Sequence, residues 1–399
     1  MKNINVFMIL LFLLLVSCHK QNKQVSGVNH IIDLDIKQDN VECYTDILNI
    51  ERIIQLKGDV IGHIDRIIYH NKRYIILDKR LKQVKVFSEE GNFLNNVGKI
   101  GKGPGEFVAP LDMSISNSGQ LYVLDDTKQI NVYNLDGTWI NNIKLPTYFL
   151  KLQVLKNGTL ALLHPSKKFK TNGKQYKLYI LSKKGKVITP LLRIPENQTD
   201  YTFSLRNSFQ QFDNEIHMVV PFNDTIYSIN DNQLEKYAII KYAKMITPLI
   251  LDNQPKSFNG LPSYRDVTQK YAMNYFYYLE SEKFIAFAYV YKRRTTAVFY
   301  NKEKKQFKKY NYANLHDPLA FLDPKLIYDG DSLLSLFYPY VIKSKDLNLN
   351  FRLKWLSNKN PKLGETLSKL ISNMKIEDNP YIIISKLEPT PKSRAGKYI

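Results

Sequence analysis

Two cysteines in 399 residues leave no room for a disulfide scaffold or a four-Cys zinc site. Glycine is sparse, at 17 residues, which excludes a collagen-like repeat. No long stretch before residue 360 keeps a 3.6-residue apolar period, so a helical bundle is excluded. Acid is short as well: 37 Asp and Glu stand against 57 Lys and Arg, a formal charge of +20. That surplus raises the question of nucleic acid, but a nucleic-acid binder gathers its charge on one element. Here the densest basic stretches, Lys167–Lys186 and Lys292–Lys309, lie far apart, and Lys, which suits a solvated surface, outnumbers Arg. No nucleic-acid partner is expected. Apolar residues are plentiful, at 44% with 27 Tyr and 20 Phe, so wholesale disorder is excluded and the length is ample for a core.

The N-terminus reads as an address. Lys2 precedes an uncharged apolar run whose core, Val6 to Val16, is too short for a membrane span of about 20 residues. A positive start and a short apolar core read as a secretory signal peptide over residues 1–17. Leu15-Val16-Ser17-Cys18 resembles a bacterial lipobox, in which cleavage before the Cys is followed by lipidation of its thiol. The alternative is an ordinary signal peptide with an incidental Cys18. A polar segment, HKQNKQVSG, follows, and residues 18–43 read as a tether and N-terminal extension. Cys43 is then the one remaining thiol and is given no chemistry.

Residues 44–395 read as one ring of hairpins. Residues 63–98 and 110–143 align by eye. In each, a strand meets a turn, a β-rich run ends in Asp (Tyr74–Asp78, Leu121–Asp125), a further strand follows, and a Gly turn leads to a last strand. Tyr74 and Leu121 are 47 residues apart, and weaker copies place second strands near 160, 216, 284 and 333. Six units of roughly 52 residues predict an all-β fold: a six-bladed β-propeller with four-stranded antiparallel blades. Residues 44–57 have no partner in the first repeat and are expected to close the ring against the last blade, because an open ring exposes sheet edges. One helix is expected near 361–375, inserted in the last blade, with Leu363, Leu367, Leu370, Ile371 and Met374 on one face. Nothing suggests more than a monomer.

The stretch Gly98–Phe107, GKIGKGPGEF, resembles the inter-blade link of NHL-type propellers. The wider layout resembles six-bladed β-propeller lipoproteins of Bacteroidota. Shared features are the lipobox, the closing strand, this link, the run Pro221–Tyr227 and the late strand Asn379–Leu387. The resemblance implies a lipid-anchored protein of the cell envelope. The post-Cys run HKQNKQ resembles lipoproteins on the periplasmic side of the outer membrane more than exported ones, which carry an acidic run there. The link is not a phosphate loop: Lys102 is followed by Gly103, not Ser or Thr, and its flanks are strands. Glu106 is expected near the mouth of the central channel.

Chemistry is scarce. Seven histidines form neither H-x-H nor H-E-x-x-H, and no G-x-S-x-G occurs. Polar residues of inner strands are the candidates: His63, Asp65, Asp112, Lys151, Arg206 and Asn207, with Glu106 beside them. No catalytic residue and no cofactor is assigned, and a metal remains unknown. Some NHL-like propellers hold a divalent metal in the channel with ligands from several blades, and the alternative function is such a metal-dependent lyase or lactonase. The preferred reading is a lipid-anchored binding or scaffold module for a glycan, a peptide or an envelope protein. Asp78, Asp125 and Asp224 are expected to cap turns. The aromatic run 271–291 is expected to pack between blades.

Overall fold

A computed structural model describes residues 28–34, 43–165, 169–196, 207–230, 232–242, 244–255, 263–311, 317, 319, 322–343 and 348–387. Their strands form six antiparallel blades. Blade 1 is Arg66–His70, Arg73–Asp78, Gln83–Ser88 and Phe93–Asn96; blade 2 is Pro110–Ile115, Leu121–Asp125, Gln129–Tyr133 and Trp139–Lys144. Blade 3 is Lys151–Val154, Leu160–Leu163, Gln175–Leu181 and Val187–Ile194; blade 4 is Phe209–Phe212, Glu215–Met218, Thr225–Asn230 and Gln233–Tyr242. Blade 5 is Met273–Glu280, Phe284–Tyr291, Arg294–Asn301 and Gln306–Asn311. Blade 6 takes three strands from the C-terminal end, Asp323–Tyr328, Ser332–Phe337 and Tyr381–Leu387, and its fourth, Leu48–Gln55, from the N-terminal end. The protein is a six-bladed β-propeller, and the first strand of each blade lines the axis.

The second strands explain the packing. In Arg73–Asp78 every residue from Tyr74 to Asp78 is buried, because both faces of a blade meet a neighbour. Alternation sends Tyr74 and Ile76 into the cluster shared with blade 6, and Ile75 and Leu77 into the cluster shared with blade 2. The same division recurs around the ring, so each adjacent pair of blades shares one apolar cluster. The aromatic run follows this rule: Tyr277 packs toward blade 6, and Tyr278 and Tyr289 toward blade 4.

Closure is explicit. Leu48–Gln55 pairs antiparallel with Tyr381–Leu387, with Ile53 opposite Ile383. Asn379 ties the two ends side chain to backbone, accepting from Ile61 N at 2.9 Å and donating to the carbonyls of Leu56 and Asp59 at 3.2 and 2.6 Å. Between blades 6 and 1, Glu89 accepts from Tyr69, Tyr328 and Arg52 at 3.0–3.2 Å.

Three elements differ from expectation or extend it. His30–Leu34, inside the assigned extension, adds a fifth strand to blade 4, parallel to Ala238–Tyr242, and buries Ile32 and Leu34. The expected helix, Pro361–Asn373, is preceded by a second, Leu349–Lys359, whose apolar residues do not form a clear stripe. The two approach so closely that a Cβ on Gly364 would stand 2.6 Å from the Ser357 Cα. Leu356, Leu367, Ile371 and Met374 join the cluster between blades 5 and 6. Short helices Pro248–Asp252 and Tyr264–Lys270, not read from sequence, bridge blades 4 and 5.

Candidate functional site

Arg66, Asp112 and Lys151 hold matching places near the starts of the first strands of blades 1, 2 and 3, opposite Leu77, Leu124 and Leu163. All three are buried. Asp112 Oδ1 stands 3.4 Å from Arg66 Nη1, and Oδ2 accepts from Leu152 N at 2.9 Å. Two residues along the same face, Ser114 accepts from Val154 N at 3.0 Å, so the inner strands of blades 2 and 3 are tied twice. Burial pushes the Lys151 ammonium down to about 8, against the pull of Asp112, with Lys79 and Arg66 adding repulsion.

Arg66 also lines a cleft on the axis of about 290 Å³. Five of the six blades contribute to its wall. Its polar lining is Tyr69, Ser114, Gln153, Asn207, Gln210, Gln211 and Lys325, and short apolar stretches around Ile67, Phe209 and Leu326 complete it. Lys325 is buried and holds Asp323 at 2.9 Å, and its carbonyl accepts from Asn207 Nδ2 at 2.5 Å. Asn207 is thus at the cleft. Arg206 and Cys18 lie outside the described residues.

The other candidates lie elsewhere. The His63 ring stacks on Tyr338 at 5.5 Å, and its amide donates to Asp78. Asp65 accepts from Lys79 N at 2.8 Å and reaches the cleft only through its field on Lys151. Glu106 does not line the cleft. Its carboxylate folds back on the link, accepting from Gly103 N at 2.8 Å and meeting Lys99 at 3.3 Å, and the bond from Gly103 holds it below the usual carboxylate range. Gly105 of the link has φ +71, and a Cβ there would meet the Trp139 side chain at 2.9 Å. Asp78 and Asp125 each accept two backbone amides from the preceding loop, at Gly62 and His63 and at Val108 and Ala109. Asp224 accepts only the neighbouring Thr225 hydroxyl among the side-chain bonds found. Sequence reading passed over Arg66, Ser114, Gln153 and Lys325. The signal was available for Ser114 and Gln153, since each lies two residues beyond a named candidate on the same strand face.

A second polar cluster lies between blades 4 and 5. Glu280 accepts from Tyr237 at 2.6 Å and Lys302 at 2.7 Å, meets His217 Nδ1 at 2.8 Å, and accepts from the Tyr278 hydroxyl. Burial pushes its carboxyl up, but these donors and the imidazole outweigh burial and hold it at about 2. Among the described residues, no three His, Cys, Asp or Glu side chains are placed to hold a metal ion. No helix of these residues is long and apolar enough to cross a membrane.

Most of this ring, from residue 59 onward, matches a known family model. A domain of unknown function, DUF4934, covers residues 59–386. The chain belongs to the DUF4934 family. Among solved structures, a Bacteroides fragilis protein whose name suggests export is similar at 17% identity and TM-score 0.72, over 90% of this chain and all of that one. A member of the DUF4221 family from Bacteroides vulgatus is similar at 10% identity and TM-score 0.53, over 86% of this chain and 99% of that one. At these identities the likeness shows the fold alone. Virginiamycin B lyase from Staphylococcus aureus is more distant, at 11% identity and TM-score 0.42 over 71% and 94% of the two chains, and carries nothing about activity here. No curated protein matches the chain.

Proposed function

We propose that this DUF4934 propeller is a lipid-anchored module of the cell envelope that binds a small polar ligand in its axial cleft. The observation that carries the reading is the cleft wall. Five blades bring amides, hydroxyls and two buried cations to one place, an arrangement that recognises hydrogen-bonding groups. Of the two carboxylates beside it, Asp112 accepts from Leu152 N and only approaches Arg66 at 3.4 Å, and Asp323 pairs with Lys325 at 2.9 Å. The NHL-type link supports the kinship with that propeller class, and its own polar groups serve the turn. Cys18 supplies the anchor, with the strand His30–Leu34 fixing the chain to blade 4 only twelve residues later.

The direct test is a panel of mono- and disaccharides and short peptides titrated into the protein and into Gln153→Trp, whose indole fills the cleft. Binding lost in the variant supports the reading. A stoichiometric divalent ion in purified protein, with a turnover that leaves with the ion, would overturn it in favour of the lyase or lactonase reading. The anchor is checked by fatty-acid labelling in cells: Cys18→Ala should lose the label and leave the membrane fraction.

A further inference from the structure

We infer that the axial cleft takes the carboxylate of an acidic sugar, of the uronate type, with Arg66 as the group that grips it. This rests on the cleft being the binding site and adds the class of ligand. A guanidinium offers five N–H groups in a planar fork, which matches a carboxylate edge to edge. Arg66 is nine-tenths buried, yet its contact with Asp112 is a single 3.4 Å approach through Nη1, which is closed to solvent, and Nε and Nη2, which are not closed off, make no hydrogen bond among the described residues. Asp112 cannot turn to meet the fork, because Leu152 N holds its other oxygen. A planar oxyanion in the cleft would supply the geometry that Asp112 does not.

Lys325, on the blade next to that of Arg66 around the ring, sits behind the same wall with its ammonium closed to solvent and paired with Asp323 at 2.9 Å, so the grip on an anion falls to Arg66. Lys151 lies behind Asp112 and adds positive field there. In the polar lining, Gln153, Asn207 and Gln210 each spend one amide N–H on a backbone carbonyl and Ser114 accepts from Val154 N, which leaves second amide N–H groups, amide oxygens and a hydroxyl to meet the hydroxyls of a sugar. A volume of about 290 Å³ holds on the order of ten waters, which suits one sugar or the end of a chain and not the middle of a polymer. The net charge of +20 would raise the local concentration of an acidic polysaccharide in a salt-dependent way.

The test is calorimetric titration of the full mature chain with D-galacturonate, its methyl ester, galactose, and trialanine as free acid and as amide. Galacturonate should bind, and esterification should weaken it by about 10- to 100-fold, the worth of a charge-assisted bond. Arg66→Gln should weaken galacturonate by a similar factor and leave the ester unchanged, and Gln153→Trp should abolish binding. Should Arg66→Gln not fold, the acid and ester compared on the unaltered protein carry the same information. Equal binding of acid and ester, both lost in Gln153→Trp, would sink the carboxylate and leave the cleft as a binding site. Binding of trialanine acid in preference to galacturonate would sink the sugar. No binding by any probe, or binding untouched by Gln153→Trp, would overturn both the inference and the site.

Discussion

The molecule holds two buried clusters of charge, and they differ in completeness. Around Glu280 the carboxylate itself is saturated, with four donors or partners between blades 4 and 5, while His217 Nε2 makes only a 3.5 Å approach to Glu215. Around Arg66 the pairing is partial, Lys151 is held well below its ordinary range, and a cleft opens beside it. A complete cluster accounts for itself by stability. An incomplete one, which folding alone would tend to eliminate, points to a ligand. Sequence does not distinguish them, since both are built from ordinary charged residues on strands.

The largest effect is expected at the complete cluster. Glu280→Gln leaves Lys302 and His217 without their carboxylate and should cost about 3–5 kcal/mol, read by denaturant unfolding. The same group sets an acid limb. Its pKa is near 2 in the fold against an ordinary 4.5, so its contribution is present above about pH 4.5 and is lost as pH falls toward 2. Glu280→Gln should flatten that limb. An unchanged limb would mean that Glu280 does not hold the interface.

At the incomplete cluster the sign should reverse. The Lys151 pKa, near 8 in the fold against an ordinary 10.5, means the unfolded chain holds that proton more tightly. Its charge therefore costs stability below pH 8, and the cost fades as pH rises toward 10.5. Lys151→Met should stabilise the protein at pH 7 by about 1–4 kcal/mol, with a gain that shrinks over that range. Destabilisation at pH 7 would erase the contrast between the clusters.

Ring closure comes next. Asn379→Ala removes three bonds between the chain ends and should cost about 1–3 kcal/mol while leaving the blades intact by circular dichroism. The smallest effect is expected at Glu106→Gln, an unfolding midpoint indistinguishable from the parent's, because its carboxylate serves an exposed link and its ion pair with Lys99 is solvated.

Blade count and second-strand positions were legible because a strand buried on both faces must be a near-continuous apolar run, as Tyr74–Asp78 and Leu121–Asp125 are. Closure was legible because Leu48–Gln55 is a strand with no local partner. His30–Leu34 was not: five residues with two inward apolar side chains give too little period to read, and its partner lies some two hundred residues away. The cleft was half legible. Of the residues named from sequence only Asn207 lines it, with Asp112 and Lys151 just behind Arg66, while Arg66 itself, Lys325 and the pairing of Asp112 with Arg66 depend on which blades adjoin across the ring, and no local pattern encodes that. Glu106 misled because its link looks like a channel mouth in sequence, while its backbone amides draw the carboxylate back onto the turn.

The central contrast is tested most directly by titrating galacturonate into two variants that should both fold, Arg66→Gln at the cleft and Tyr237→Phe at the Glu280 cluster. Arg66→Gln should lose about tenfold or more in affinity, and Tyr237→Phe, though less stable, should bind as the parent does. Equal affinity in Arg66→Gln and the parent, or an equal loss in both variants, would contradict the assignment of binding to one cluster and stability to the other.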